Sequence, residues 1–244
     1  MSGHLGGAND LAKTVARLIG AQPVITTATD LEGITSIDII AKKKKLHILN
    51  PEAIKIVNSA LLEGEAVQVY DPEDRLDIKV NPFKKVKFVF LKENSWDPNM
   101  CGVWVHWREK IPTKGQLVLH PKVLILGIGC NRGTKEEEIL NFIEKCFKEK
   151  GLSIFSIKAL ATIDIKKDEK GILKVARYLK VPVLFFSKDE LNSVEVPHPS
   201  CLTKQHVGAK SVCEAAAILG TNMGKLILPK QKTKDITIAV ALQK

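Results

Sequence analysis

Between Val123 and Thr134 the chain reads VLILGIGCNRGT, and this stretch gathers residue types from which a binding site can be made. Gly127 and Gly129 permit positive φ or close backbone approach. Thr134 and Glu137 have the spacing of a capping box on a following helix. An apolar run that empties through glycines into a helix start can point backbone N–H groups at an anion. With Gly133 the spacing is G-x-G-x-x-x-G, which is neither the dinucleotide fingerprint nor a Walker A loop, because no Gly-Lys-Ser/Thr follows. Two readings stand: an anion cradle, or the ordinary turn from strand to helix in an α/β domain. Cys130 could be a nucleophile or could simply pack; no histidine lies near it in sequence to activate it. Ser187 with Glu190, and Ser211 with Glu214, have the spacing of two more capping boxes.

Such residues need a frame. Val123 to Leu126 reads as a strand. Ile139, Phe142, Ile143, Cys146 and Phe147 follow the i, i+3, i+4, i+7, i+8 pattern, which predicts a helix from Lys135 to Lys150 with Cys146 in the core. Ser153 to Leu160 reads as a strand, Asp168 to Leu179 as a helix and Val181 to Phe186 as a strand, and this βαβαβ order implies a parallel sheet. An irregular loop, VPHPSCLTKQHVGAK, leads to a helix from Ser211, then to an antiparallel hairpin of Lys225 to Leu228 and Ile236 to Leu242. In an open parallel sheet ligands bind beyond the carboxyl ends of the strands. Gly127 to Gly133, Ala161 to Lys167, and Ser187 with Pro197 to Lys210 are therefore expected to converge there, with the helix at Ser211 aiming its N-terminus at the cleft.

Upstream, Leu11, Val15, Leu18 and Ile19 give a helical stripe from Asn9 to Ile19, and Pro23 to Thr27 reads as a strand. Ile37 to Ala41 is a short apolar run. Asn50 can cap a helix with Pro51 at its first position, and Ile54, Val57 and Leu61 line one face of it. Ala66 to Tyr70 reads as a strand and Asp71 to Asn81 as a loop. Val86 to Leu91, Val103 to Trp107 and Gln116 to His120 are further strand candidates. Trp104 and Trp107 read as packing residues or as a platform for a flat ligand. His106 and His120 have no partners at metal-ligand spacing. The expected fold class is α/β. A C-terminal domain (121–244) has a mainly parallel sheet flanked by helices and a C-terminal antiparallel hairpin. A smaller α/β part precedes it, comprising residues 1–30 and a middle region and linker over 31–120.

The chain of 244 residues carries 37 Lys and Arg against 27 Asp and Glu, a formal charge of +10 that favours anionic partners. The densest basic runs, Lys42 to Lys45 and Lys84, Lys85, Lys87, are not interleaved with aromatics, and only 5% of residues are aromatic. That pattern suits a solvated lysine surface better than a nucleic-acid platform. An anionic small molecule remains open. No apolar run approaches the roughly 18 residues of a membrane helix, and no signal peptide precedes the first charges, so a cytoplasmic protein is expected. Five scattered cysteines without a C-x-x-C pair argue for reduced thiols and against zinc.

SGHLGGANDLA followed by AQPVITTATD resembles the close of the N-terminal domain in the cobalt-precorrin-5A hydrolase family of anaerobic cobalamin (vitamin B12) biosynthesis. NPEAIKIVNSALLEGE looks like that family's middle region. LGIGCNRGT, DEKGILKVA, VPVLFFSKDEL and PSCLTKQHVGAKSVCEAAA look like its C-terminal domain. Agreement in order across three regions is far more specific than any one motif; it is weakest between Asp71 and Leu117. The resemblance implies that residues 1–30 are the remnant of an N-terminal domain whose first part, about eighty residues, is missing.

The activity it implies is hydrolysis: water opens the ring A δ-lactone of cobalt-precorrin-5A and a two-carbon fragment leaves as acetaldehyde, giving cobalt-precorrin-5B. The alternative is a non-catalytic corrinoid-binding or carrier protein of the same pathway, because the C-terminal domain alone also resembles small proteins of aerobic cobalamin synthesis. A flat macrocycle fringed with carboxylates suits a protein of charge +10. Candidates for the group that activates water are His4, His206 and Glu214, the last also readable as the capping partner of Ser211. Arg132 is the expected carboxylate clamp, or else a salt bridge to the glutamates of the next helix. Backbone N–H groups at Gly129 to Gly133 or Gly6 to Ala8 could stabilise an oxyanion. Substrate contacts are expected from Gly6, Gly7, Asn9, Gly127, Gly129, Cys130, Arg132, Gly133, Ser200, Gly208 and Ser211. The cobalt belongs to the substrate, so no protein metal site or cofactor is implied. The partner is the corrinoid, with no nucleic acid or membrane, and a homodimer is left open.

Overall fold

The structure, a computed structural model, describes residues 8–23, 36–78, 87–199 and 211–243. It divides into two compact units, one of Met1–His106 with Lys110–Pro121 and one of Trp107–Glu109 with Lys122–Lys244. Among the described residues no helix is long and apolar enough to cross a membrane.

In the first unit the helical stripe near the start forms α1 (Ala8–Leu18). The apolar run after Ser36 is also a helix, α2 (Ile37–Lys43), and α3 (Ala53–Leu62) follows Pro51 as its face pattern predicts. Five strands, β1 (His47–Ile48), β2 (Ala66–Tyr70), β3 (Lys87–Phe90), β4 (Gly102–Val105) and β5 (Gln116–His120), pair in the order β1-β5-β4-β2-β3. Only the β1–β5 pairing is antiparallel. Alternation decides which side each residue meets. Val67, Val69, Val103, Val105, Leu117 and Leu119 pack with Ile37, Ile54, Val57 and Leu61 of the helices. Tyr70, Trp104 and Val118 form a second cluster with Leu49 and Trp96. The Tyr70 and Trp104 rings stack with centroids 4.0 Å apart, Trp96 stands edge-on at 5.2 Å, and the Lys110 ammonium lies 4.3 Å over the Trp104 ring. Trp104 is thus buried packing, one of the two roles its sequence allowed. Asn50 is not a helix cap: its amide donates to the Gln116 carbonyl at 2.7 Å and its oxygen accepts from the Val118 amide at 2.9 Å.

The second unit contains β6 (Leu124–Cys130), α4 (Glu136–Lys150), β7 (Ile157–Ile163), α5 (Lys170–Leu179), β8 (Val183–Phe186), α6 (Lys188–Asn192), α7 (Val212–Gly220), β9 (Lys225–Lys232) and β10 (Ile236–Leu242). The strand order is β8-β7-β6-β10-β9. The first three are mutually parallel, and β10 runs antiparallel to both β6 and β9, so the expected α/β sheet with a terminal hairpin is present. One face of the sheet, with Leu124, Leu126 and Leu160, packs against Ile139, Ile143, Phe147, Ile172 and Val175 of α4 and α5. The other, with Ile125, Ala159 and Ala161, packs against Leu191, Val212, Ala215 and Ala216 of α6 and α7. Cys146 lies in the first of these clusters, as its spacing predicts.

Two expectations are corrected. The glycines after Leu126 are not a turn. β6 continues through Gly127 and Gly129 to Cys130, because α7 and β10 come too close for side chains there. A Cβ on Gly127 would overlap the Cys213 carbonyl oxygen of α7, and one on Gly129 would lie 2.8 Å from Thr237 Oγ1. Nor does Thr134 with Glu137 form a capping box. The helix starts one residue later, at Glu136 after Lys135, and the Thr134 hydroxyl instead donates to the Asn131 carbonyl at 2.8 Å. Three glutamates in its first turn complement the dipole without a cap. Burying Ile139, Ile143 and Phe147, at about 2 kcal/mol each, outweighs the roughly 1 kcal/mol of a cap. The box of Ser187 with Glu190 is present in full, both hydrogen bonds included.

Candidate functional site

The carboxyl ends of β6, β7 and β8 lead into the segments from which a site was expected, and the hairpin turn between β9 and β10 lies at the same edge. Asn131, just past β6, donates its backbone N–H to the Asp235 carbonyl and its side-chain amide to Asp235 Oδ1, both within 2.9 Å. Gly133, in the left-handed region at φ 79°, donates its N–H to Glu169 Oε1 at 3.0 Å. Glu169 is almost fully buried, and its second oxygen accepts from the Lys166 ammonium at 3.3 Å. A buried carboxylate must be matched by donors, and it recruits this amide. The N–H groups of Asn131 and Gly133 are therefore committed inside the protein. This weakens the idea that the segment is an open anion cradle.

Arg132 reaches Asp168 rather than the glutamates of the next helix. Its Nη1 donates to Asp168 Oδ2 at 2.9 Å and its Nη2 to the Ile165 carbonyl at 3.3 Å. The guanidinium holds the Asp168 carboxyl below the usual carboxylate range, chiefly by hydrogen bonding. Both side chains are about two-thirds exposed, at 65% and 69%. Between the starts of α4 and α5 lies a cavity of about 430 Å³ lined by Gly133, Thr134, Glu169 and Lys170 among others. Three lysines and three glutamates line it, a balance that gives a polycarboxylate no net attraction. Cys130 projects at the end of β6 with its thiol pushed up by burial, an effect that Lys166 only partly offsets. It is protonated at neutral pH and poorly suited to nucleophilic attack.

The other side of the edge carries a different constellation. Ser211 precedes α7 but its hydroxyl does not cap the helix, and Glu214 is not its capping partner. Glu214 is fully buried, and three donors surround its carboxylate. Oε2 accepts from the His198 backbone N–H at 3.1 Å. Oε1 accepts from the Lys230 backbone N–H at 3.0 Å and lies 2.9 Å from His198 Nδ1. The Lys230 amide is available because β9 bulges there: Leu228 and Gln231 pair with Val240 and Ile238, so three steps on β9 face two on β10. Such bulges re-aim groups next to functional sites, and Pro229, which cannot donate to a ladder, sits in this one. The His198 imidazole remains 59% exposed.

Of the expected site residues, Gly127, Gly129, Cys130, Arg132, Gly133, Ser211 and Glu214 thus share the carboxyl edge or the first turn of α7. Asn9 lies in α1 of the first unit. His4, Gly6, Gly7, Ser200, His206 and Gly208 lie outside the described residues. His198 was not anticipated. The available signal was a histidine held between two prolines, Pro197 and Pro199, in a loop already expected at this edge. Among the described residues no group of three His, Cys, Asp or Glu side chains could hold a metal ion.

Residues 1–30 match the family model described as cobalamin synthesis G N-terminal, residues 35–121 the cobalamin biosynthesis central region, and residues 124–241 the cobalamin synthesis G C-terminus. The chain is 33% identical over 255 residues to the cobalt-precorrin-5A hydrolase of Priestia megaterium, a match covering 99% of this chain and 67% of that protein. It is 29% identical over 121 residues to protein CobE of a Sinorhizobium species, covering 48% of this chain and 79% of that one. A solved structure of a cobalamin biosynthesis protein G homolog from Sulfolobus solfataricus is 27% identical, with a TM-score of 0.43, over 98% of this chain and 68% of its own.

Proposed function

The chain belongs to the cobalamin synthesis G family and has a role in cobalamin biosynthesis, and from that premise we propose that it hydrolyses cobalt-precorrin-5A. The observation that carries this reading is the match to the hydrolase of Priestia megaterium along 99% of this chain. In the proposed reaction water adds to the acyl carbon of the ring A lactone and the acyl–oxygen bond breaks. That leaves a carboxylate and a hydroxyl on the two-carbon fragment. Loss of the hydroxyl proton then breaks the carbon–carbon bond, whose electron pair passes to the macrocycle as acetaldehyde departs. No oxidant or reductant is needed, and the cobalt is part of the substrate.

The edge of the sheet supports a hydrolytic role. A water-activating group must be reachable from solvent and held in one orientation, and the exposed His198 ring beside the buried Glu214 meets both conditions. The formal charge of +10 draws a polycarboxylate macrocycle toward the protein. The exposure of the Arg132 guanidinium, just past β6, supports a role in which it exchanges Asp168 for a substrate carboxylate. Incubating the purified chain with cobalt-precorrin-5A should release acetaldehyde, and its absence would count against the reading. A second reading, a corrinoid carrier without catalysis, is favoured by the similarity of half the chain to protein CobE, a name that specifies no reaction. A spectral shift of the corrinoid on mixing, with no product formed, would support it instead. A cytoplasmic location is part of the same proposal, supported by the biosynthetic role of the relatives.

A further inference from the structure

We propose that His198 is the proton-transfer residue of the lactone-opening step and that Glu214 is the residue that positions it. This inference rests on the hydrolase reading given above. It starts from a carboxylate that the fold has buried completely, in the first turn of α7, and such a group must be matched by donors. Two separate elements supply its donors: the loop carrying His198 and the bulge of β9 at Lys230. Each carboxylate oxygen accepts one of these backbone N–H groups, so toward the imidazole the group acts as an acceptor. The ring hydrogen therefore sits on Nδ1, 2.9 Å from Glu214 Oε1, and the lone pair sits on Nε2.

The backbone bond matters as much as the side-chain bond. Because Glu214 grips both the N–H and the Nδ1–H of His198, the ring is fixed at two points. Pro197 and Pro199 narrow the backbone conformations on either side. The result is an imidazole held in one orientation, more than half exposed, at the edge of the sheet where ligands of this fold class bind.

In the step assigned to it, Nε2 takes a proton from water as the water oxygen bonds to the lactone acyl carbon. When the acyl–oxygen bond breaks, the electron pair stays on the departing ring oxygen, and Nε2 returns the proton to that oxygen. The imidazole ends as it began. Glu214 supports the transient imidazolium without touching the substrate, as the third member of a nucleophile-base-orienter set does.

Full-length wild-type, His198→Asn, His198→Ala and Glu214→Gln proteins are to be compared with cobalt-precorrin-5A as substrate, reading acetaldehyde by a coupled reductase. The His198 variants keep the backbone N–H that Glu214 accepts, and circular dichroism with the melting temperature checks that they fold. The expected result is a fall of at least about 100-fold in kcat for His198→Asn with KM within twofold, and recovery of part of the lost rate in His198→Ala on adding free imidazole. A wild type that turns over while His198→Asn retains kcat within threefold overturns the assignment and leaves the hydrolase reading intact. A wild type that releases no acetaldehyde defeats both. The positioning role has its own readout in the ¹⁵N spectrum, where the His198 resonances are identified by their loss in His198→Asn. The Nδ1–H tautomer should dominate in the wild type and lose that dominance in Glu214→Gln. Dominance of the Nε2–H form in the wild type would overturn the role given to Glu214.

Discussion

The carbonyl oxygen of Cys213 occupies the space that a Cβ on Gly127 would fill, so the first turn of α7 rests directly on the backbone of β6. This contact sets how close α7 comes to the sheet and hence where Glu214, one residue further on, is held. Gly129 is in a different position: a Cβ there would meet Thr237 Oγ1 at 2.8 Å, the tip of a side chain rather than a backbone. Gly127→Ala should therefore destabilise the protein by about 3 kcal/mol and Gly129→Ala by about 1 kcal/mol, as overpacking of fixed and of yielding neighbours does. Chemical denaturation of the two variants checks this. Equal losses would mean that α7 is free to shift.

Arg132 and Asp168 form an exposed ion pair, and solvent screens such pairs so that they add little to stability. Arg132→Ala should leave the melting temperature nearly unchanged, and any effect on the reaction then reports on substrate binding. If the guanidinium binds a substrate carboxylate, KM should rise about tenfold in the alanine variant. Arg132→Lys should fall between, having lost the two-pronged geometry. An unchanged KM in steady-state assays would reduce Arg132 to a surface pair.

What could be read from the chain alone was local in origin. The stripe from Ile139 to Phe147 and the box of Ser187 with Glu190 need only neighbours within two turns, and both are present. At Gly127 close backbone approach holds and the turn does not, because the cause is α7, more than eighty residues away, and glycines in a strand look like glycines in a turn until the neighbour is known. The capping reading of Glu214 fails for a related reason. Its spacing from Ser211 suits a cap, yet burial against His198 and the β9 bulge gives its carboxylate three donors, and that arrangement wins. Of the three expected bases, His4 and His206 lie outside the described residues, and His198, which lies beside Glu214, was not among the three.

Cys130 tests whether nucleophilic catalysis has any place here. Burial raises its thiol above the ordinary cysteine value, with Glu169 adding to the rise and Lys166 and the Thr134 hydroxyl opposing it. At pH 7 it should react with iodoacetamide more slowly than a cysteine in the denatured chain, measured by mass spectrometry of the peptide that carries it. Cys130→Ser should keep acetaldehyde release within about threefold of wild type, because a proton-transfer residue activating water needs no thiol. Rapid alkylation of Cys130 together with loss of turnover would reopen the nucleophile reading.

His120 gives a pH dependence of stability whose sign follows from its surroundings. It is buried at the end of β5, opposite His47 of β1, and its Nδ1–H donates to the His106 carbonyl at 2.8 Å. Burial lowers its pKa, the His106 carbonyl works against that, and the nearby His47 adds to the lowering. The folded protein therefore holds His120 neutral at a pH where the unfolded chain, titrating near about 6.5, has begun to take up a proton. Stability is present above that pH and is lost as pH falls from about 6.5 toward the folded value, by no more than about 1.4 kcal/mol per pH unit for one proton. Unfolding free energies from urea titrations at pH 7.5, 6.5 and 5.5 should fall more steeply for the wild type than for His120→Gln, whose amide does not titrate. The comparison is of slopes, so a uniform loss of stability in the variant does not affect it. Identical slopes would mean that His120 takes up its proton as readily in the folded protein as in the unfolded one.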